Sequence, residues 1–182
     1  MKRLGLVLLA VALCVVAARP AMAQGHLRYG VSAGLLLPMG DYNTIDKMGW
    51  VAGAGATYWL PGTGNIGVRG DVSYSSTSHD LTGATGSTKI VGGMASFVYA
   101  LMPASAPARL MINGGVGFYS IDVGGGASKQ NKLGFGGGAA VAFKLGTSSS
   151  RLVVGTRYTS VASDGTSRWN FLPITVGLSF GK

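Results

Sequence analysis

From Lys132 to Leu145 the chain reads KLGFGGGAAVAFKL. Leu133, Phe135, Val141, Phe143 and Leu145 fall on one face of an extended backbone; Gly134, Gly136, Gly138, Ala140, Ala142 and Lys144 fall on the other. Period-two alternation marks a β-strand. The run exceeds the roughly 5–6 residues of an ordinary globular strand and fits a tilted transmembrane strand of about 9–11. The faces carry more information than the period. A strand meeting water presents Lys, Glu, Thr or Gln, not a row of glycines and alanines. Apolar residues outside, with small residues and a lysine inside, suit a narrow barrel in lipid.

The same alternation recurs between breaker clusters. Pro61–Asn65, Pro103–Pro107 and Gly146–Ser150 are compact turn signals. Polar segments lie between them, over Gly40–Gly49, Ser78–Ser87, Asp122–Asn131 and Ser163–Arg168. The predicted strands are Arg28–Met39, Trp50–Leu60, Ile66–Thr77, Thr88–Met102, Arg109–Ile121, Lys132–Leu145, Arg151–Ala162 and Trp169–Phe180. An even number of strands joined by alternating short turns and longer loops predicts an all-β, eight-stranded antiparallel up-and-down transmembrane β-barrel, with both termini on the short-turn side, in the periplasm. Outward positions follow by parity. They are Tyr29, Val31, Ala33, Leu35 and Leu37 in the first strand, Ile66, Val68, Val72 and Tyr74 in the third, and Ile174, Val176, Leu178 and Phe180 in the last.

Aromatic residues sort by depth along these strands. Tyr29, Tyr58, Trp59, Phe97, Tyr99, Phe143 and Phe180 fall near the predicted periplasmic ends. Trp50, Tyr74, Phe118, Tyr119, Phe135, Tyr158, Trp169 and Phe171 fall near the outer ends. Two aromatic girdles are expected of a membrane barrel.

The N-terminus changes the picture of location. Met1-Lys2-Arg3, the apolar stretch Leu4–Ala18 and Ala21-Met22-Ala23 read as a signal peptide over residues 1–23, leaving 24–182 as one barrel domain. Removing 23 of the 182 residues leaves 159, without the single cysteine, Cys14. Loss of Lys2, Arg3 and Arg19 leaves 12 basic residues against six acidic ones, all aspartate. The lysines and arginines are singly spaced, with no basic run and no recognition helix, so no nucleic-acid partner is expected.

The ending Thr175-Val176-Gly177-Leu178-Ser179-Phe180 and the strand pattern together resemble the small eight-stranded outer-membrane barrels of the OmpA/OmpX type. The ending is similar to the terminal-strand signal read by the barrel-assembly machinery, with Gly181-Lys182 as a departure from an aromatic last residue. The resemblance implies the outer membrane of a Gram-negative-type bacterium, assistance from that machinery during biogenesis, and a structural, envelope-integrity or surface-interaction role as a monomer. It leaves two alternatives: an outer-membrane lipid-modifying enzyme resembling a lipid A deacylase, or a narrow channel for small solutes.

Residues able to do chemistry are few. Ser76, Ser78, His79 and Asp80 are the best catalytic candidates, but neighbours on an extended chain point to opposite sides, so His79 and Asp80 form no oriented dyad. No catalytic site is assigned. Two histidines 53 positions apart and no glutamate give no metal-ligand spacing. The glycine runs 124–126 and 136–138 lack the strand–loop–helix setting of a phosphate loop, and no cofactor is expected. Lys47, Lys89, Lys129, Lys132 and Arg168 fall at the outer ends, where they are placed to meet lipopolysaccharide phosphates. Parity puts Arg69, Asp71, Lys144 and Arg157 inside. Buried charges need partners, so these four are expected to form a polar network in an interior filled by side chains.

Overall fold

The computed structural model describes residues 26–44, 46–79, 86–124, 129–146, 148–163 and 168–181. The predicted signal peptide and Asp80 lie outside these residues. Eight strands, β1 (His26–Met39), β2 (Gly49–Trp59), β3 (Ile66–Ser78), β4 (Ser87–Ala100), β5 (Ala108–Asp122), β6 (Gln130–Lys144), β7 (Arg151–Ala162) and β8 (Arg168–Phe180), form one closed barrel. Every pair is antiparallel; seven join strands consecutive in sequence, and the eighth closes the ring, β1 pairing with β8 from Tyr29↔Phe180 to Met39↔Asn170. Each strand limit falls within two residues of its prediction. Closure leaves no free edge, so the strands are paired on both sides, with one interruption of the β7–β8 ladder where Arg157 and Tyr158 stand opposite Leu172 and Pro173, the latter a residue without an N–H.

The barrel is inverted relative to a soluble protein. Phe97, Leu133, Val116 and Val72 are 72%, 69%, 66% and 60% exposed on its outer wall. Tyr29 and Phe180, on neighbouring strands, place their rings 6.3 Å apart there. The predicted outward residues of β1, β3 and β8 are exposed, apart from the half-buried Leu37. Water alone gives such a surface no stabilisation, because every residue that alternation turns outward loses the benefit of burial.

The two ends differ. At the turn end, where β1 starts and β8 finishes, three tight connections close β2–β3, β4–β5 and β6–β7. Gly62 and Gly64 adopt φ of 78° and 60° in the first of these, a region favouring residues without Cβ. At the loop end the chain does more than turn. Gly40–Thr44, predicted as plain polar loop, forms a single 3₁₀ turn that buries Tyr42. Tyr42 joins Leu36, Val51, Ile90, Tyr119, Ile121, Val161 and Phe171 in an apolar cluster inside the barrel. Tyr119, Trp169, Phe171 and Trp59 therefore leave the predicted girdles. Their parity points them inward, where Tyr119 packs edge-on against Phe171 at 5.9 Å and Tyr42 against Trp169 at 4.8 Å.

The glycine row of β6 now has a reason. A Cβ on Gly134 would come within 3.0 Å of the Tyr119 ring, one on Gly92 of β4 within 2.6 Å, and one on Gly117 of β5 within 3.0 Å. Three glycines on three adjacent strands vacate the volume that one aromatic ring fills.

Candidate functional site

The lumen is where the inward side chains converge. Asp71 on β3 and Arg157 on β7 start from opposite walls, four strands apart. Arg157 crosses the barrel and donates from Nη1 to Asp71 Oδ1 at 2.8 Å and from Nη2 to Oδ2 at 3.3 Å. Two parallel donations from a guanidinium fork to a carboxylate fix orientation as well as distance. Arg69 adds its Nε to Oδ2 at 3.3 Å. Arg157 Nε donates to Asn113 Oδ1 at 3.1 Å, and its Nη1 lies 3.2 Å from Met94 Sδ. Gly136 and Gly138 give the arginine stem room, since a Cβ on either would stand 3.4 Å and 3.0 Å from it. Among the described residues, Asp71 thus meets Arg69 and Arg157. Lys144 is a correction: it has the inward parity but is exposed at the last position of β6, paired in register with Arg151, far along the strand from this brace. Asn113, Met94 and Tyr119 complete the neighbourhood, and parity alone was the signal for them.

The expectation of a side-chain-filled interior also needs correcting. A cavity of about 480 Å³ runs from Arg28, Trp59 and Arg109 at the turn end to Leu36, Ile90 and Phe171 on the underside of the apolar cluster. The brace lies along it, between a packed end and a hollow one.

At the loop end a second polar group is buried. Tyr42 Oη and Thr77 Oγ1 are 2.7 Å apart, and Thr77 Oγ1 donates to Asp46 Oδ2. Burial lifts the Tyr42 phenol well above its usual pKa, so it stays neutral. His79, expected as part of a solvated loop tip, is instead tied in an isolated bridge to Asp46, with Nε2 3.6 Å from the Asp46 Oδ1 and 3.3 Å from Thr88 Oγ1. The missing carboxylate for His79 therefore comes from another loop, a pairing invisible along the sequence. The geometry is not that of a nucleophile relay. A relay needs the acid on one ring nitrogen and the hydroxyl on the other, and here both approach Nε2. Ser76 and Ser78 have outward parity on β3, away from this histidine.

At the turn end stand three arginines that the sequence reading passed over. Arg28, Arg109 and Arg151 are inward residues near the starts of β1, β5 and β7. Arg28 donates to Ser179 Oγ and O, Gly181 O and Ser149 O. Arg109 donates to Met102 O at 3.1 Å and to Gly64 O, and its guanidinium lies 4.0 Å over the Trp59 ring. Arg151 donates to Ala104, Ala106 and Ala142 carbonyls. Each ties short connections to strand ends through neutral acceptors.

The five outer-end cations are not equivalent. Lys47 and Lys89 are exposed. Lys129 is exposed and pairs with Asp122 at 3.5 Å. Arg168 stands outward, 5.9 Å over the Phe135 ring. Lys132 departs from the rest, because it is half-buried on the inward face of β6.

With the geometry in view, the class is plain: the chain has the fold of the small eight-stranded outer-membrane barrels. No family model and no curated protein matches it. Among solved structures it is similar to Neisserial surface protein A, at 16% identity, with 86% of this chain and 97% of that one covered and a TM-score of 0.63. It is similar also to the outer membrane protein OprG from Pseudomonas aeruginosa, at 12% identity, with 88% and 99% covered and a TM-score of 0.60. A third likeness is to Ail, the attachment invasion locus protein of Yersinia pestis, solved with the heparin analogue sucrose octasulfate, at 16% identity, with 86% and 99% covered and a TM-score of 0.56. At such identities the likeness is one of fold.

Proposed function

We propose that this protein is a monomeric integral outer-membrane barrel with a structural or surface-interaction role in the envelope. It is exported by a cleaved signal peptide, inserted by the barrel-assembly machinery, and oriented with its turn end in the periplasm. The observation that carries this reading is the continuous apolar outer wall on a closed hydrogen-bond ladder, the only non-helical backbone that lipid tolerates. Lys47, Lys89, Lys129 and Arg168 at the loop end are placed for lipopolysaccharide phosphates, and the short loops leave surface contact, rather than catalysis, as their role. The test is fractionation. The chain should sediment with the outer membrane, resist carbonate extraction and change gel mobility on boiling; recovery in the soluble periplasm overturns the reading. Single cysteines then fix orientation. Ser78→Cys and Lys129→Cys should label on intact cells and Thr63→Cys and Ser105→Cys should not.

The cavity supports a second reading, a narrow path for small solutes. The Arg157–Asp71 brace and the apolar cluster stand in that path. Single-channel recording on the reconstituted barrel decides it: conductance that rises in Asp71→Ala supports a path, and silence in both proteins removes it.

A further inference from the structure

We propose that the turn-end mouth of the lumen is a binding site for a single-chain amphiphile with an oxyanion headgroup, the headgroup lying among Arg28, Arg109 and Arg151 and the chain running into the cavity. The first support is an imbalance of charge. Arg109 and Arg151 are only 5% and 9% exposed, and Arg28 joins them in lining one cavity. Yet the six acids of the sequence are Asp41, Asp46, Asp71, Asp80, Asp122 and Asp164, and none falls in the connections 60–65, 101–107 or 145–150 that close this end. Lys144 adds a further positive charge at the same rim. Buried cations are held elsewhere in proteins by a carboxylate or another anion, because backbone carbonyls return only part of the lost hydration.

The second support is an orphaned donor. The Trp59 indole Nε1 is buried with no hydrogen-bond partner among the described residues, and Trp59 lines the same cavity directly beneath Arg109. The indole N–H is a donor without an acceptor, and beside it stand guanidiniums whose acceptors among the described residues are all neutral. The third support gives the ligand its tail. Below the arginines the walls carry an apolar face: Trp59, Val98 and Ala100 are buried together with Met111 against them, Ala142 and Val153 line the cavity opposite, and Thr57 and Thr175 interrupt it. Charged donors at a mouth above an apolar wall recognise a headgroup and a chain together. This site goes beyond the envelope role and is tested in the lumen, independently of where the barrel resides.

The experiment follows the three tryptophan indole N–H signals by NMR on the full barrel domain refolded in a zwitterionic detergent, with Trp59→Phe assigning the relevant one. Decanoate should shift the Trp59 signal saturably and leave those of Trp50 and Trp169 in place. The apparent affinity should fall at least tenfold in Arg151→Gln and in Arg28→Gln and be unchanged in Asn131→Ala, an exposed position at the loop end of β6. Monodecyl phosphate in parallel tells which oxyanion is preferred, and saturation by either supports the site. Acetate or inorganic phosphate acting as strongly as decanoate overturns the amphiphile, and decyltrimethylammonium acting as strongly overturns the anion. Wild-type affinity in the arginine variants assigns these residues to tying turns alone and overturns the proposal. Arg28, half-buried, keeps the test usable if Arg151→Gln fails to refold. The titration is repeated with a Gly-Ser extension after Lys182; binding seen only in that chain also overturns it.

Discussion

The loop-side and turn-side halves of the lumen are built on the same eight strands and differ in almost everything else. The loop-side half is packed. Leu36, Tyr42, Ile90, Tyr119, Ile121 and Phe171 fill it, and glycines at 92, 117 and 134 are cut away to admit one ring. Its acid is buried and surrounded by hydroxyls. The turn-side half is hollow and cationic, with small residues on its walls and arginines at its mouth. Backbone closure fixes the diameter of both, so the difference lies wholly in the inward side chains. Where large and vanishing residues alternate, the lumen becomes a core. Where most are small, with Trp59, Val98 and Met111 as the exceptions, it stays open and charge collects at its rim. The Arg157–Asp71 brace sits between the two.

Cutting that brace should have the largest effect. Asp71→Ala leaves Arg157 and Arg69 facing each other without a carboxylate, at a cost on the order of 3 kcal/mol. Urea unfolding of the refolded barrel should show a much lower midpoint than for Asp122→Ala, whose carboxylate is a third exposed; equal midpoints would mean that the brace contributes nothing. The packed half should resist added volume next. Gly92→Val drives a side chain into the Tyr119 ring and should cost about 1–3 kcal/mol by the same measurement. Gly137→Val, on the outward face of β6, is the matched control and should be tolerated.

Tyr42→Phe removes one buried hydrogen bond and should cost about 1 kcal/mol near neutral pH. Its pH dependence is more telling. Burial holds the phenol proton far more tightly in the folded chain than the usual value of 10. Below pH 10 both states keep the proton and the bond contributes in full. Above pH 10 the unfolded chain loses the proton and the folded one does not, so stability falls as pH rises. The wild type should therefore lose its advantage over Tyr42→Phe on going from pH 9 to pH 11. A constant gap would mean that the phenol is not buried. The smallest effect belongs to the rim: Lys129→Ala should change the urea midpoint by less than about 0.5 kcal/mol, since the Lys129–Asp122 pair is exposed and screened.

Alternation by itself determined the strands, their number, their order and the inverted surface. A membrane barrel is a local code: each residue's side follows from the residue before it, and each strand pairs with its neighbour in sequence. The same code placed Arg69, Asp71 and Arg157 inside, because parity is a property of the strand alone. It held the inward direction of Tyr119, Trp59 and Phe171 too, but sorting aromatics by depth ignores parity, and so counted them among the girdles. What the chain could not declare was depth and distance across the lumen. Arg157 and Asp71 are 86 residues apart and meet only because closure sets β7 opposite β3. Lys144 has the same parity as the brace yet ends at the rim, since strand stagger, not parity, sets height in the barrel. His79 finds Asp46 through the folding of one loop against another, and the three arginines share a mouth only once β1, β5 and β7 stand in one ring. Which face a residue takes is written locally; which residues meet there is decided by the ring closing.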